Sequence, residues 1–235
     1  MTEGGRGLTN RLVPFFLLVV ASALAICLAL LGLETVRANL LGWILLGLGT
    51  AYPAGILIDH HAHPERYRGT AAERRGDLEE RGDLSFWLIL PGFLTVFFAS
   101  PLEWLGLAAP WLPRPAIVQV VGIGIFMGGA GLVVWARRSL RRSYSHHLAV
   151  QSSQALVETG PYRHVRHPAY GGLLLMALAV AVGYSSAIGL AAIPVLLIPG
   201  LVFRIRREER LLTARFGEVY VAYARRTPRL LPGLW

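Results

Sequence analysis

From residue 169 to residue 203 the sequence contains no charged side chain, and both ends of this run are crowded with them. As one straight helix these 35 residues would reach about 52 Å, against a bilayer hydrocarbon core of about 30 Å. The run therefore has to turn. Gly183-Tyr184-Ser185-Ser186 breaks it near the middle, so the expectation is a hairpin of two short apolar helices. Its second arm holds Pro194 and Pro199 and should be bent. Closing the hairpin carries Arg166-His167 and Arg204 to the same membrane face.

The rest of the chain reads in the same terms. Of its 235 residues, 54% are hydrophobic and only 16% charged, where a soluble domain carries about a quarter. Apolar runs at 12–33, 38–58, 84–99 and 116–136 approach the length of a membrane helix. The ten-residue alternating segments of a barrel are absent. The expected fold class is all-α integral membrane: four transmembrane helices followed by a C-terminal transmembrane helical hairpin. The first run is longer than a typical secretory signal core and is read as a retained anchor. Gly42, Gly47, Ala51 and Gly55 in the second suit close helix approach, and Pro91 should kink the third. An aromatic and proline-rich loop with Trp104 and Trp111 follows the third run. Gly122, Gly124, Gly128, Gly129 and Gly131 leave one side of the fourth nearly bare, so a neighbour should pack tightly there.

Charge supports this topology. With the N-terminus inside, 21 of the 23 arginines fall on the inner side and only Arg37 and Arg114 outside, as the positive-inside tendency requires. A single crossing for the last run would move eight of them out. The net charge of +9 is thereby read as arginine facing anionic headgroups, and nucleic acid is not an expected partner. All basic residues are arginine, which fits a GC-rich genome. The expected location is a bacterial inner (plasma) membrane with the N-terminus and the site cytosolic. The single cysteine, Cys27, lies in an apolar run, so no intrachain disulfide is possible.

Two polar clusters flank the hairpin: Gly160-Pro161-Tyr162-Arg163-His164-Val165-Arg166-His167-Pro168-Ala169-Tyr170, and Arg204-Ile205-Arg206-Arg207-Glu208-Glu209-Arg210. Each alone has a plain reading, as interfacial anchors before a helix led in by Pro168 and as a solvated helix end. Together at one face they offer acceptors for an ammonium, donors for a carboxylate, and aromatic faces. Asp59-His60-His61-Ala62-His63 has the letters of a metal site but no partner cluster beyond His146-His147, so no metal is expected. Ser185-Ser186 has no evident base beside it.

The order Leu156-Val157-Glu158-Thr159-Gly160-Pro161-Tyr162, then Arg166-His167-Pro168-Ala169-Tyr170, then Arg204, Glu208-Glu209, Phe216-Gly217-Glu218-Val219-Tyr220, Tyr223 and Arg226-Thr227-Pro228 resembles the isoprenylcysteine carboxyl methyltransferases and their phospholipid N-methyltransferase relatives. The resemblance covers about residues 130–232. It implies a cytosolic cofactor-binding region after the hairpin and divides the chain into N-terminal helices and loops, 1–115, and a catalytic core, 116–235. It implies S-adenosylmethionine as cofactor, held by Gln154, Ala155, Leu156, Val157, Tyr162, His167, Pro168, Ala169, Tyr170 and Glu208. Gln154 departs from the family pattern. Arg204 would bind the acceptor carboxylate, and Arg204 with Glu209 are the candidate catalytic residues.

Methyl transfer from a sulfonium is an in-line displacement, so alignment matters most. A carboxylate acceptor is already ionised at neutral pH and needs no base, whereas an amine arrives protonated and would need Glu209 or His167. The expected activity is carboxyl O-methylation of an isoprenylcysteine-like substrate, with a lipophilic or prenylated acceptor and membrane lipids as partners. The oligomeric state is left open. Phospholipid amine N-methylation is the alternative within the family. An NADPH-dependent sterol-type reductase and a non-enzymatic membrane protein are the alternatives outside it; a transporter would show internal repeats, and none is found.

Overall fold

In a computed structural model of the chain, the described residues are 40–49, 78–79, 85–104, 116–140, 149–150 and 156–230. The first apolar run with Cys27, most of the loop at 59–83, and Gln154 and Ala155 lie outside them. The chain divides into two compact units, Met1–His63 and Pro64–Trp235. In the first, helix α1 (Leu40–Gly49) falls inside the second expected span. Gly42, Leu45 and Gly49 are buried on it, while Gly47 has nothing within 4 Å of an added Cβ.

The second unit is helical. A single antiparallel pairing of two-residue strands, β1 (Leu78–Glu79) with β2 (Ala149–Val150), is the departure from the all-α expectation. Helix α2 (Ser85–Leu94) contains Pro91 and runs on through a π-turn, Thr95–Ala99, into α3 (Ser100–Trp104). The apolar run was expected to end near residue 99. Instead the wider turn resets the hydrogen-bond ladder, and Pro101 falls in the first turn of α3, where a helix tolerates it. Trp104, expected in a loop, is buried on this helix beside Glu103.

Helix α4 (Ala116–Leu140) and helix α5 (Pro168–Gly183) form the tightest crossing. A Cβ on Gly129 would lie 2.7 Å from the Gly172 carbonyl oxygen, and one on Gly122 2.7 Å from Gly183 Cα. Residues seven apart on α4 thus meet residues eleven apart on antiparallel α5, both spacings being close to whole turns. Gly124, Gly128 and Gly131 have nothing within 4 Å. The expected bare side is therefore two faces, one packed on helix and one open. Ile117, Val120, Met127 and Val134 are exposed on α4, an apolar surface suited to lipid.

The hairpin turns where the sequence breaks. Tyr184 caps α5, Ser185 takes a left-handed conformation (φ 52°), and Ser186 caps helix α6 (Ala187–Ala192) by accepting a hydrogen bond from the Gly189 amide. A π-turn at Ile193–Leu197, holding Pro194, joins α6 to α7 (Ile198–Phe216). Helix α2 lies across this joint: a Cβ on Gly92 would meet Leu197 Cα at 2.7 Å. Gly217, at φ 54°, breaks the chain into α8 (Glu218–Arg226).

Among the described residues two helices are long and apolar enough to cross a membrane, Ala116–Leu140 and Ala187–Phe216. Leu40–Gly49, Leu88–Trp104 and Pro168–Gly183 are apolar but shorter. The expected count of four spans and a hairpin is not reproduced. The 30 residues of the second arm reach about 45 Å, more than the thickness of a bilayer core of about 30 Å.

Candidate active site

The approach to α5 begins with a 3-10 turn, Gly160–Arg163. Gly160 has φ 63°, and a Cβ there would strike Ser139 Oγ at 2.5 Å, so both conformation and space call for glycine. Pro161 starts the turn, and its carbonyl accepts from the amides of His164 and Val165. The chain then pairs with its own tail: Arg166 N donates to Pro228 O at 2.8 Å and His167 N to Arg229 O at 2.9 Å. The Tyr223 hydroxyl donates to the Tyr162 carbonyl at 2.7 Å, and Arg226 pairs with Glu158. The C-terminal helix and tail thus lace down the segment that carries His167 as the N-cap of α5.

The second cluster comes from α7. Its Glu209 is buried and takes charged partners from both other segments. Arg166 Nη1 lies 2.7 Å from Oε1, Arg229 Nη2 2.8 Å from Oε2, and Arg229 Nε donates to Oε2 at 2.9 Å. His167 Nε2 is 3.4 Å from Oε1. Burial alone would raise the Glu209 carboxyl. The hydrogen bonds of His167 and Arg229 and the charges of His167 and Arg166 outweigh it and hold the group down at about 2.

Glu208 and Arg204, one turn apart on α7, face the other side of His167. Glu208 Oε2 lies 3.8 Å from His167 Nδ1, is buried, and makes no hydrogen bond to the described residues. Arg204 Nε donates to the Tyr170 hydroxyl at 2.8 Å. The Tyr170 ring stacks on His167 at 5.7 Å and also lies under the Arg204 guanidinium, 6.0 Å from ring centroid to guanidinium carbon.

His167, Tyr170, Arg204, Glu208 and Glu209 therefore come together, with Pro168 and Ala169 in the first turn of α5 beside them. Tyr162 is buried and tied to α8 through its carbonyl. Leu156 and Val157 are half-buried ahead of the 3-10 turn. Arg166, Arg229 and Tyr220 were not singled out from sequence as site residues. Yet Arg166, Glu209, Tyr220, Arg225 and Arg229 line a cavity of about 320 Å³ on the α8 side of Glu209. Arg229 lies 20 residues from Glu209 with a helix break between, a separation no local periodicity reports. Among the described residues no group of His, Cys, Asp and Glu could hold a metal ion.

Comparison with known proteins finds the same resemblance. Residues 117–219 match the family model of the phospholipid methyltransferases. These residues are similar to that family. Protein-S-isoprenylcysteine O-methyltransferase B of Arabidopsis thaliana is 29% identical over 153 residues, 63% of this chain and 78% of that one. The protein-S-isoprenylcysteine O-methyltransferase of Schizosaccharomyces pombe is 28% identical over 119 residues, half of each chain. A solved eukaryotic intramembrane Ras methyltransferase, isoprenylcysteine carboxyl methyltransferase, shares the fold at a TM-score of 0.50 and 17% identity. That match covers 96% of this chain and 86% of the other. The expected enzyme class stands: the chain is a membrane methyltransferase.

Proposed function

We propose that the chain transfers a methyl group from S-adenosylmethionine to the carboxylate of an isoprenylcysteine-like lipophilic acceptor, at the cytosolic face of the membrane. The observation that carries this reading is the arrangement of Arg204 and Glu208. One turn of α7 holds a guanidinium oriented by Tyr170 and a carboxylate with one buried oxygen, Oε2, that makes no hydrogen bond to the described residues. The residues fit the cofactor. Glu208 Oε2 suits an ammonium or ribose hydroxyls, the stacked His167 and Tyr170 present ring faces, and the segment at Leu156, Val157 and Tyr162, with Gln154 and Ala155 before it, would complete the pocket.

When bound, S-adenosylmethionine supplies an electrophilic methyl on a sulfonium. The chain's part is orientation. Arg204 binds the acceptor carboxylate and holds one oxygen toward the methyl. A carboxylate oxygen held in this way would accept the methyl, the cofactor would leave as a neutral thioether, and the chain would need no base to take a proton. A carboxylate acceptor is favoured over an amine because the candidate bases are already engaged. Glu209 is held down at about 2 by its cationic neighbours, making it a weak proton acceptor, and His167 lies between the two glutamates. In this reading the four apolar runs and the hairpin all span the membrane, and 116–235 is the catalytic core.

Label transfer from S-adenosylmethionine, compared between a farnesyl-cysteine analogue and phosphatidylethanolamine, tests the proposal. Methyl ester formed on the farnesyl-cysteine analogue is the expected result. Label in phosphatidylethanolamine alone would shift the assignment to amine methylation, the activity carried by the matched family's name.

A further inference from the structure

The cofactor side and the acceptor side of the site meet at one side chain. The Tyr170 hydroxyl accepts the Arg204 Nε hydrogen bond at 2.8 Å, and its ring lies against both the guanidinium and His167. The hydroxyl also faces Glu208, which acts on it through both charge and hydrogen bonding. Arginine has several rotatable bonds, and ordering them anew at each binding event costs conformational entropy. The Nε–H lies in the guanidinium plane, so its hydrogen bond to the hydroxyl restrains both the position and the plane of the group. In-line displacement depends steeply on such alignment, with small misplacements costing large factors in rate.

We propose that Tyr170 is a positioning residue that holds the guanidinium plane of Arg204 ready for the acceptor carboxylate. This goes beyond a cofactor contact and rests on the reading of Arg204 as the acceptor-binding residue. The hydroxyl serves the acceptor side through the short bond from Arg204 and meets the cofactor side only at Glu208, whereas the ring serves the cofactor side through His167. The two parts of one side chain can therefore be separated by substitution.

Tyr170→Phe removes only the oxygen and keeps the ring. Its affinity for S-adenosylhomocysteine, measured by calorimetry in detergent, should stay within about threefold of wild type. Its kcat/KM for the farnesyl-cysteine acid should fall roughly tenfold to a hundredfold, the loss of one hydrogen bond to a charged group. Inhibition by the free-acid analogue should weaken with it, while inhibition by the methyl-ester analogue, which offers Arg204 no carboxylate, should not change. A merely structural role for the hydroxyl would weaken both analogues alike. Tyr170→Ala, lacking the ring as well, should lose cofactor affinity too.

Unchanged kcat/KM in Tyr170→Phe, or an equal loss for acid and ester, overturns the inference while leaving the methyltransferase reading intact. A fall in cofactor affinity matching the fall in kcat/KM also overturns it, because the hydroxyl then acts through the cofactor. Wild-type protein that neither binds S-adenosylhomocysteine nor methylates the acid removes the underlying reading and this inference with it.

Discussion

Two buried glutamates sit in different parts of the fold and do opposite work. Glu103, on α3, accepts from the Ser186 hydroxyl at 2.7 Å and from the amides of Ala187 and Ile188 at 3.2 and 3.3 Å. All three donors come from one turn, where the hairpin reverses. Glu209 instead takes partners from two segments remote in sequence, the guanidinium of Arg166 and the imidazole of His167 before α5 and the guanidinium of Arg229 in the tail. The first carboxylate satisfies the open amides of a helix start. The second ties three pieces of chain into one site. The donors to Glu103 named above come from one turn, whereas the charge-assisted bonds of Glu209 join segments far apart in sequence.

The comparison can be broken first on turnover. Arg204→Ala, at the Glu209 end, should lower kcat/KM for the acid acceptor by at least about a thousandfold, with S-adenosylhomocysteine affinity within about threefold of wild type. Equal loss of both would reassign Arg204 to the cofactor. Glu103→Gln, at the turn, should leave kcat unchanged at 25 °C.

Stability separates the two ends next. Glu209→Ala removes the acid that Arg166 and Arg229 share and should cost roughly 3 kcal/mol, read as a lower midpoint in thermal unfolding with detergent fixed. Glu209 also has a pH signature. Its carboxyl is lowered from an ordinary value near 4.5 to about 2 in the folded chain. Its stabilisation should therefore be complete above about pH 4.5 and fade as pH falls toward 2. The Glu209→Ala chain should show a flatter stability profile across that window, and an unchanged slope would mean the ion pairs do not form.

Smaller effects sharpen the picture of the scaffold. Gly129→Ala places a Cβ against the Gly172 carbonyl and should cost roughly 1–3 kcal/mol, whereas Gly124→Ala meets open space and should be neutral in the same melts. Glu103→Gln replaces one acceptor oxygen by a donor facing the turn amides and should cost about 1–2 kcal/mol. A loss as large as that of Glu209→Ala would erase the distinction between the two glutamates.

Much of this was open to a reader of the sequence. An uncharged run too long for one crossing, broken at Gly183 to Ser186, dictates a hairpin, because backbone polar groups in lipid leave a helix few alternatives. The hairpin in turn places Arg166-His167 opposite Arg204, and the order of motif residues points to the methyltransferase family. Local spacing did not reveal which glycines of α4 touch α5, since Gly122 and Gly129 are distinguished from Gly124 only by the neighbour they meet. Nor did it show that the helix after Pro91 continues to bury Glu103 and Trp104, because a π-turn is not written in a hydrophobic pattern.

What tertiary structure alone decided is the partnership of the charges. Glu208 and Glu209 are neighbours in sequence, but the helical rotation between them sends one toward His167 Nδ1 and Tyr170 and the other into Arg166 and Arg229. Sequence determines that a helix separates adjacent residues by about 100°. Only the packing of α7 against the approach to α5 and the returning tail determines what each of them meets.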